Sequence, residues 1–432
     1  MCFIGEGAEL NTSGKNRQKF PPLSSPAPPT GLWLSIVLAS LILMVTMGIR
    51  QTVGLFVHPI INATAMGIAD MSMALAIGQL IWGVFQPIFG AWADKKGPLP
   101  VLVTGAILLA CGQLFTVWSS SFLSIALSQG LLSPAGAAAG SFSILIGIIS
   151  GGLTVEKRSV ASGIVNAGGS LGQFVFAPIV QFLISIKGYT GGLYFFSLAS
   201  LVTIIPSWFL CRRNPQRLTT AGTQTHNGVN VGTGLKSQLA TSFRNPSYLL
   251  LHAGFFTCGF HVAFLTTHLP GEVSLCGHTA AVSAASLSLI GLCNIVGSLM
   301  AGILGKYFRM KYILSSLYAF RAVMIAAYLL SPKTELTFYI FAITTGFTWL
   351  ATVPPTAGIV SKLFGTRYLA TLFGMTLLTH QVGGFLGAWL GGVAIQNSGN
   401  LLWVWYVDVA LAAMAALINL PIREEKLSKK PV

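Results

Sequence analysis

The sequence predicts an all-α membrane protein: twelve transmembrane helices in two pseudo-symmetric six-helix bundles. Three observations predict it. Hydrophobic residues make up 53% of the 432 and charged residues only 8%, against about 25% charged in a soluble protein. Apolar runs of about 20 residues, the length that crosses the hydrocarbon core as a helix, recur twelve times. One long polar stretch, 212–246, divides those runs into six and six.

Taken in order, the first 31 residues are polar and proline-rich ("PPLSSPAPPT"). They lack the apolar core and cleavage site of a signal peptide and are expected to form a disordered cytoplasmic tail. The spans are expected at 32–57, 70–91, 99–118, 122–150, 160–184 and 190–211, then 247–269, 280–304, 312–331, 335–360, 368–394 and 402–420. This gives an N-terminal bundle at 32–211, a cytoplasmic linker at 212–246, a C-terminal bundle at 247–421 and a cytoplasmic tail at 422–432.

Charge sets the orientation. Of the 25 Lys and Arg, all but Lys187, Lys333, Arg50 and Arg321 fall on the side that holds both termini. By the positive-inside rule that side is cytoplasmic, so the formal charge of +15 reports membrane orientation rather than nucleic-acid binding. The expected location is the cell (inner or cytoplasmic) membrane. The six cysteines form no C-x-x-C pair, and no zinc spacing is present. There is no P-loop, no G-x-S-x-G and no metal-ligand cluster, so neither an enzyme activity nor a cofactor is expected.

The halves echo each other at a nearly constant offset. Gly90 in "GVFQPIFGAWADKKG" matches Gly302 in "NIVGSLMAGILGKYF", "AGGSLG" (Ala167–Gly172) matches "VGGFLG" (Val382–Gly387), and Gly48-Ile49-Arg50 matches Gly259-Phe260-His261. Duplicated six-span halves of this kind place a substrate site near the midplane between them. The glycine ladders let helices approach closely, whether for ordinary packing or for sliding.

The loop "GAWADKKG" (Gly90–Gly97) resembles the G-x-x-x-D-[RK]-x-G signature of the major facilitator superfamily. The resemblance covers about residues 32–421 and implies alternating access, with the loop controlling closure of the cytoplasmic side. Gly90, Asp94, Lys95 and Gly97 are the corresponding gating residues. The second-half copy carries Lys306 where an acid is expected. "EKRSVASGIVNAGGSLG" (Glu156–Gly172) resembles the loop-to-span-5 signature of monocarboxylate transporters and oxalate/formate antiporters, adding Glu156 and Arg158 to the gating set. That narrower resemblance implies a cation late in span 1, where Arg50 stands, and an anion-binding residue in span 11, where this chain has His380. The chain departs from the monocarboxylate pattern in span 8, where Asn294 and Ser298 stand in place of an acid and an arginine.

An arginine at a helix centre costs about 2.5–3.5 kcal/mol on insertion scales. Arg50 is read as a fixed cation in the central cavity, able to take a carboxylate by two parallel hydrogen bonds; snorkelling to the headgroups is the alternative. His261 and His380, with Asn166, Asn294 and Ser298, are the candidate polar partners. Arg321 is expected to be structural and paired with Asp408, the only acid read as lying within a span. An acid-free cavity with a cation favours an anionic substrate. The expected function is secondary transport of a small organic, monocarboxylate-like anion. The expected partners are that small molecule, the lipid bilayer and protons where they are coupled; no nucleic acid is expected, and the chain is read as a monomer. An exporter of drugs or neutral solutes, and a receptor that keeps the fold without cycling, are the alternatives.

Overall fold

A computed structural model describes residues 30–64, 66–150, 155–213, 235–365 and 369–424. Residues 1–29 of the expected tail 1–31, most of the linker and residues 425–432 lie outside the described residues; the first helix starts at Thr30, inside the expected tail. The described part of the linker contains a short helix, Leu235–Phe243.

Among the described residues, ten helical segments are long and apolar enough to cross a membrane. One of them, Ala161–Arg213, has 53 residues and doubles back. Gly188 at its bend has φ 69°, which only glycine adopts at little cost. The rings of Phe176 and Phe195 lie 5.6 Å apart, whereas the intervening straight helix would separate them by about 28 Å. Counting this reversal and the helix Leu369–Ser398 gives twelve passes.

In chain order, span 1 is Thr30–Gln51 with Gly54–Thr64, span 2 Ile68–Lys96 and span 3 Pro98–Thr116. Span 4 runs in pieces from Phe122 to Ser150. Spans 5 and 6 are Val155–Val202, divided at Gly188, with Ile204–Arg213. Spans 7 to 9 are Pro246–Leu275, Ala280–Leu304 and Met310–Leu330. Span 10 is Glu335–Thr348 with Val353–Phe364, span 11 Leu369–Ser398 and span 12 Leu402–Asn419.

Spans 1, 4 and 10 are broken. In span 1 the Thr52 hydroxyl donates back to the Gly48 carbonyl at 2.7 Å, and the helix restarts at Gly54. In span 10, Pro354 and Pro355 follow the break; proline lacks the N–H that would continue the ladder. In span 4 a π-helical turn, Ala126–Leu132, precedes Pro134, and such turns favour functional regions. Span 7 runs past Pro270 to Leu275, longer than the sequence reading of 247–269. Its stop is Gly277 at φ 80°. As a result Glu272 also lies on a spanning helix, buried, accepting from the Tyr328 hydroxyl at 2.9 Å. Asp408 is therefore not the only acid within a span.

The glycine ladders pack helices within each half. Side chains at Gly168 and Gly172 of span 5 would overlap the carbonyls of Ser40 and Met44 in span 1. Gly383 and Gly387 of span 11 stand in the same way against Phe256 and Phe260 in span 7. These matched contacts correct the repeat register: Met44 corresponds to Phe260, so the counterpart of Arg50 is Thr266, not His261.

Between the halves, span 2 crosses span 11 and span 5 crosses span 8. The Ser288 hydroxyl donates to the Phe174 carbonyl at 2.8 Å, and Asn294 Nδ2 to Ser170 Oγ at 2.8 Å. Along spans 2 and 11, Ser72 meets Gly392, Gln79 meets Gly384 and Gln381 meets Gly83. The next pair in that register is Gly90 with Gly374, and neither has an atom within 4 Å of where its side chain would start. Spans 2 and 11 are therefore apart at that level, while Gly163 of span 5 still faces Leu299 of span 8.

Candidate functional site

The site grows from the break in span 1. Arg50 sits in the last turn of Thr30–Gln51, where a cation is favoured by the helix dipole. Its Nη2 donates to Gln79 Oε1 at 2.7 Å, and its guanidinium lies 4.1 Å from the Trp82 ring centre. A cation over an indole face is held electrostatically. Arg50, Gln79, Gln113, Gln129 and Ser133 line a cavity of about 40 Å³ whose other walls include Ile49, Val53 and Phe196. That volume holds a few waters or a small ion.

The polar wall is an interlocked, uncharged network. Gln129 Nε2 donates to Thr116 Oγ1 at 2.8 Å and to Gln113 Oε1 at 3.2 Å, while Gln113 Nε2 donates to Ser133 Oγ at 2.7 Å. The π-helical turn is the element that carries Gln129. Among the described residues no carboxylate pairs with Arg50. Its side chain is half-buried in a neutral setting with donor positions left over, an arrangement that can receive an oxyanion.

Of the residues singled out from the sequence as substrate-binding, Arg50 alone lines this cavity. His261 is fully buried and bonds through Nδ1 to Asp408 Oδ2 at 2.6 Å. This corrects the expected Arg321–Asp408 pair: Arg321 donates through Nη2 to the carbonyls of Thr348 and Trp349 instead. It thereby caps the first half of span 10, whose final carbonyls have no helical partner. His380, also buried, takes Gln381 at 3.0 Å and packs its ring on Phe255 at 4.8 Å.

Asn294 is fully used in joining elements. It donates to Ser170 and accepts from the Leu350 N–H at 3.0 Å and the Ser298 hydroxyl at 3.1 Å, so it and Ser298 brace the break in span 10. Asn166 is half-buried on span 5. In the loop expected to gate, Gly97 ends span 2 at φ 87° with its N–H on the Ala93 carbonyl at 2.9 Å. Gly90 is open, and Lys95 and Lys96 are exposed. The side chains of Asp94, Glu156 and Arg158 lie outside the described residues.

Sequence reasoning missed Gln51, Gln113 and Ser133. Gln51 joins the halves at their centre, accepting from the Trp349 indole N–H at 3.2 Å. Its position beside Arg50 was the available signal; for Gln113 it was an amide within the apolar run of span 3.

Comparison with known proteins follows this geometry. The chain is 27% identical over 406 residues to monocarboxylate transporter 13 of Rattus norvegicus, covering 91% of this chain and 90% of that protein. It is 24% identical over 396 residues to the oxalate:formate antiporter of Oxalobacter formigenes, covering 89% of each. Among solved structures, a bacterial homologue of the human lysosomal transporter Spinster, in an inward-facing and unoccupied conformation, superposes with a TM-score of 0.65 at 16% identity. That superposition covers 92% of this chain and 95% of that one, and it shares the fold. Residues 36–388 match the Major Facilitator Superfamily, and the chain belongs to that family.

Proposed function

We propose that the protein is a secondary transporter of a small, monocarboxylate-like organic anion, working by alternating access with Arg50 as the anion anchor. One observation carries this: a half-buried guanidinium at a helix break, facing a cavity of uncharged amides, with no carboxylate among the described residues to neutralise it. The names of the two sequence relatives, both carriers of carboxylates, support the same substrate class. Gln79 and Trp82 fix the plane of the guanidinium, which leaves the rest of its fork for a carboxylate. Rocking of the halves, with release of the central Gln51–Trp349 contact, would then expose the site alternately.

The test is uptake into proteoliposomes of labelled lactate, pyruvate and oxalate. Hydrogen bonds to a charged group are worth about 1.5–3 kcal/mol, so Arg50→Ala is expected to lower kcat/KM by about 10- to 150-fold. Arg50→Lys keeps the charge but not the fork and should fall between the two. Anion uptake by Arg50→Ala at the wild-type rate would remove Arg50 from the substrate site.

A further inference from the structure

We propose that His261 and Asp408 form the proton-binding site that couples anion movement to a proton gradient; this rests on the anion-carrier reading above. The pair is sealed, with neither side chain exposed. An ionised carboxylate only accepts hydrogen bonds, so in the ion-paired form of this site the proton of the Asp408 Oδ2 bond sits on His261 Nδ1. That leaves a lone pair on Nε2, and Nε2 has no partner. Buried polar atoms without partners are rare, and each one calls for a reason. Asp408 Oδ1 and Arg321 Nη1 are likewise unpartnered, so three polar atoms of one cluster stand ready for a charge or a water.

The charges around the pair allow one added proton. Arg321 of span 9 acts on His261 from one side, with the Tyr318 ring 5.5 Å from its guanidinium. Asp408 of span 12 balances Arg321. Cys258, one turn earlier on span 7, bonds to Thr352 of span 10 at 3.2 Å and neighbours His380 of span 11. With a neutral His261, Arg321 and Asp408 cancel. A proton taken from water adds to Nε2, makes an imidazolium and breaks no other bond. Asp408 keeps its hydrogen bond to Nδ1 throughout, and the same proton leaves Nε2 to water on the opposite side. One proton travelling with one monoanion makes the transported load neutral.

The gate for that proton is the break in span 10. The Trp349 ring lies 5.8 Å from His261, and its indole N–H reaches Gln51, next to Arg50, across the halves. Separation of the halves at this level releases Trp349 from Gln51 and frees its ring to leave His261. The conformational change that opens the anion site thus also opens the proton site.

The test uses the full chain in proteoliposomes with labelled lactate as probe and an internal pH dye, with protein-free liposomes subtracted. In the wild type, lactate entry should carry protons; lactate flux without proton flux would overturn the proposal and leave the anion reading standing. His261→Gln should lower pH-gradient-driven accumulation by about tenfold or more, while lactate–lactate exchange stays within about threefold. Accumulation like the wild type, or accumulation and exchange falling together, would overturn it. Asp408→Asn should show the same split, and it stands in if His261→Gln does not fold. If the wild type moves no anion, the anion reading fails. The proton site is then read alone, by infrared difference spectra on progressive acidification from about pH 8, above the ordinary imidazole range. An imidazole signal lost in His261→Gln supports the site, and identical spectra overturn it.

Discussion

A side chain placed on Gly54 separates the two kinds of helix contact in this fold. A Cβ there would overlap the Thr266 carbonyl oxygen and lie 2.9 Å from that of Thr267 and 3.2 Å from Pro270 Cδ. Those atoms belong to span 7, in the other half. The halves can relieve the overlap by rocking apart at this end without unpacking either bundle. Overpacking of this kind costs about 1–3 kcal/mol, and the same range of coupling energy corresponds to about 5–150-fold in a two-state equilibrium. Gly54→Val is therefore expected to remain folded and to shift the protein away from the state closed at this end. Gly172→Ala makes a similar overlap with the Met44 carbonyl, but within one half, where rocking gives no relief; it should lower thermal stability instead. The assay is the labelling rate of a thiol at His58→Cys, which lies half-buried against Gly271, by a membrane-impermeant maleimide, relative to a parent without that thiol. Unchanged labelling in folded Gly54→Val, or the same acceleration in Gly172→Ala, would refute the reasoning.

Two further substitutions follow from the same geometry. Gln79→Glu puts a carboxylate where an amide oxygen now lies 2.7 Å from Arg50; the internal ion pair should occupy the anchor and lower lactate uptake by about tenfold or more, with the protein eluting normally on size exclusion, and undiminished uptake would count against Arg50 as anchor. Arg321→Met leaves the buried Thr348 and Trp349 carbonyls without their donor, at about 1–3 kcal/mol for each buried group left unsatisfied; the monodisperse yield after detergent extraction should collapse for Arg321→Met and not for Arg50→Ala.

The architecture was legible because its causes are local. Span length, the polar linker and the one-sided distribution of Lys and Arg each follow from the physics of the bilayer, and the glycine ladders were visible as text. Partner choice among buried polar residues was not legible. Asp408 was matched with Arg321 on charge alone, yet Arg321 sits where span 10 stops, and two free carbonyls outcompete the carboxylate for its Nη2. Span 7 was ended at its proline, although a proline near a helix end removes one bond without stopping the helix, and this hid Glu272. The repeat was placed a few residues off in spans 1 and 7 because matching single glycines fixes no register; only the helix contacts do.

The two arginines within the spans show why one is bound to backbone and the other to a side chain that can be exchanged. Each lies at the C-terminal end of a half-helix, Arg50 at the end of Thr30–Gln51 and Arg321 at the end of Glu335–Thr348. There the dipole and unpaired carbonyls offset part of the cost of a membrane-buried charge. Arg321 reaches its helix end from span 9, is 1% exposed, and gives Nη2 to two backbone carbonyls. Arg50 stands on the broken helix itself, is half-buried, and is held by one amide and one ring. A backbone carbonyl cannot be exchanged for a ligand without unfolding the cap, whereas a glutamine side chain can rotate aside. The same helix-end electrostatics therefore produces a permanent lock in span 10 and a replaceable partner in span 1. Since Gln51 and Trp349 join these two breaks directly, a ligand that displaces Gln79 from Arg50 acts one residue away from the contact that holds the halves together.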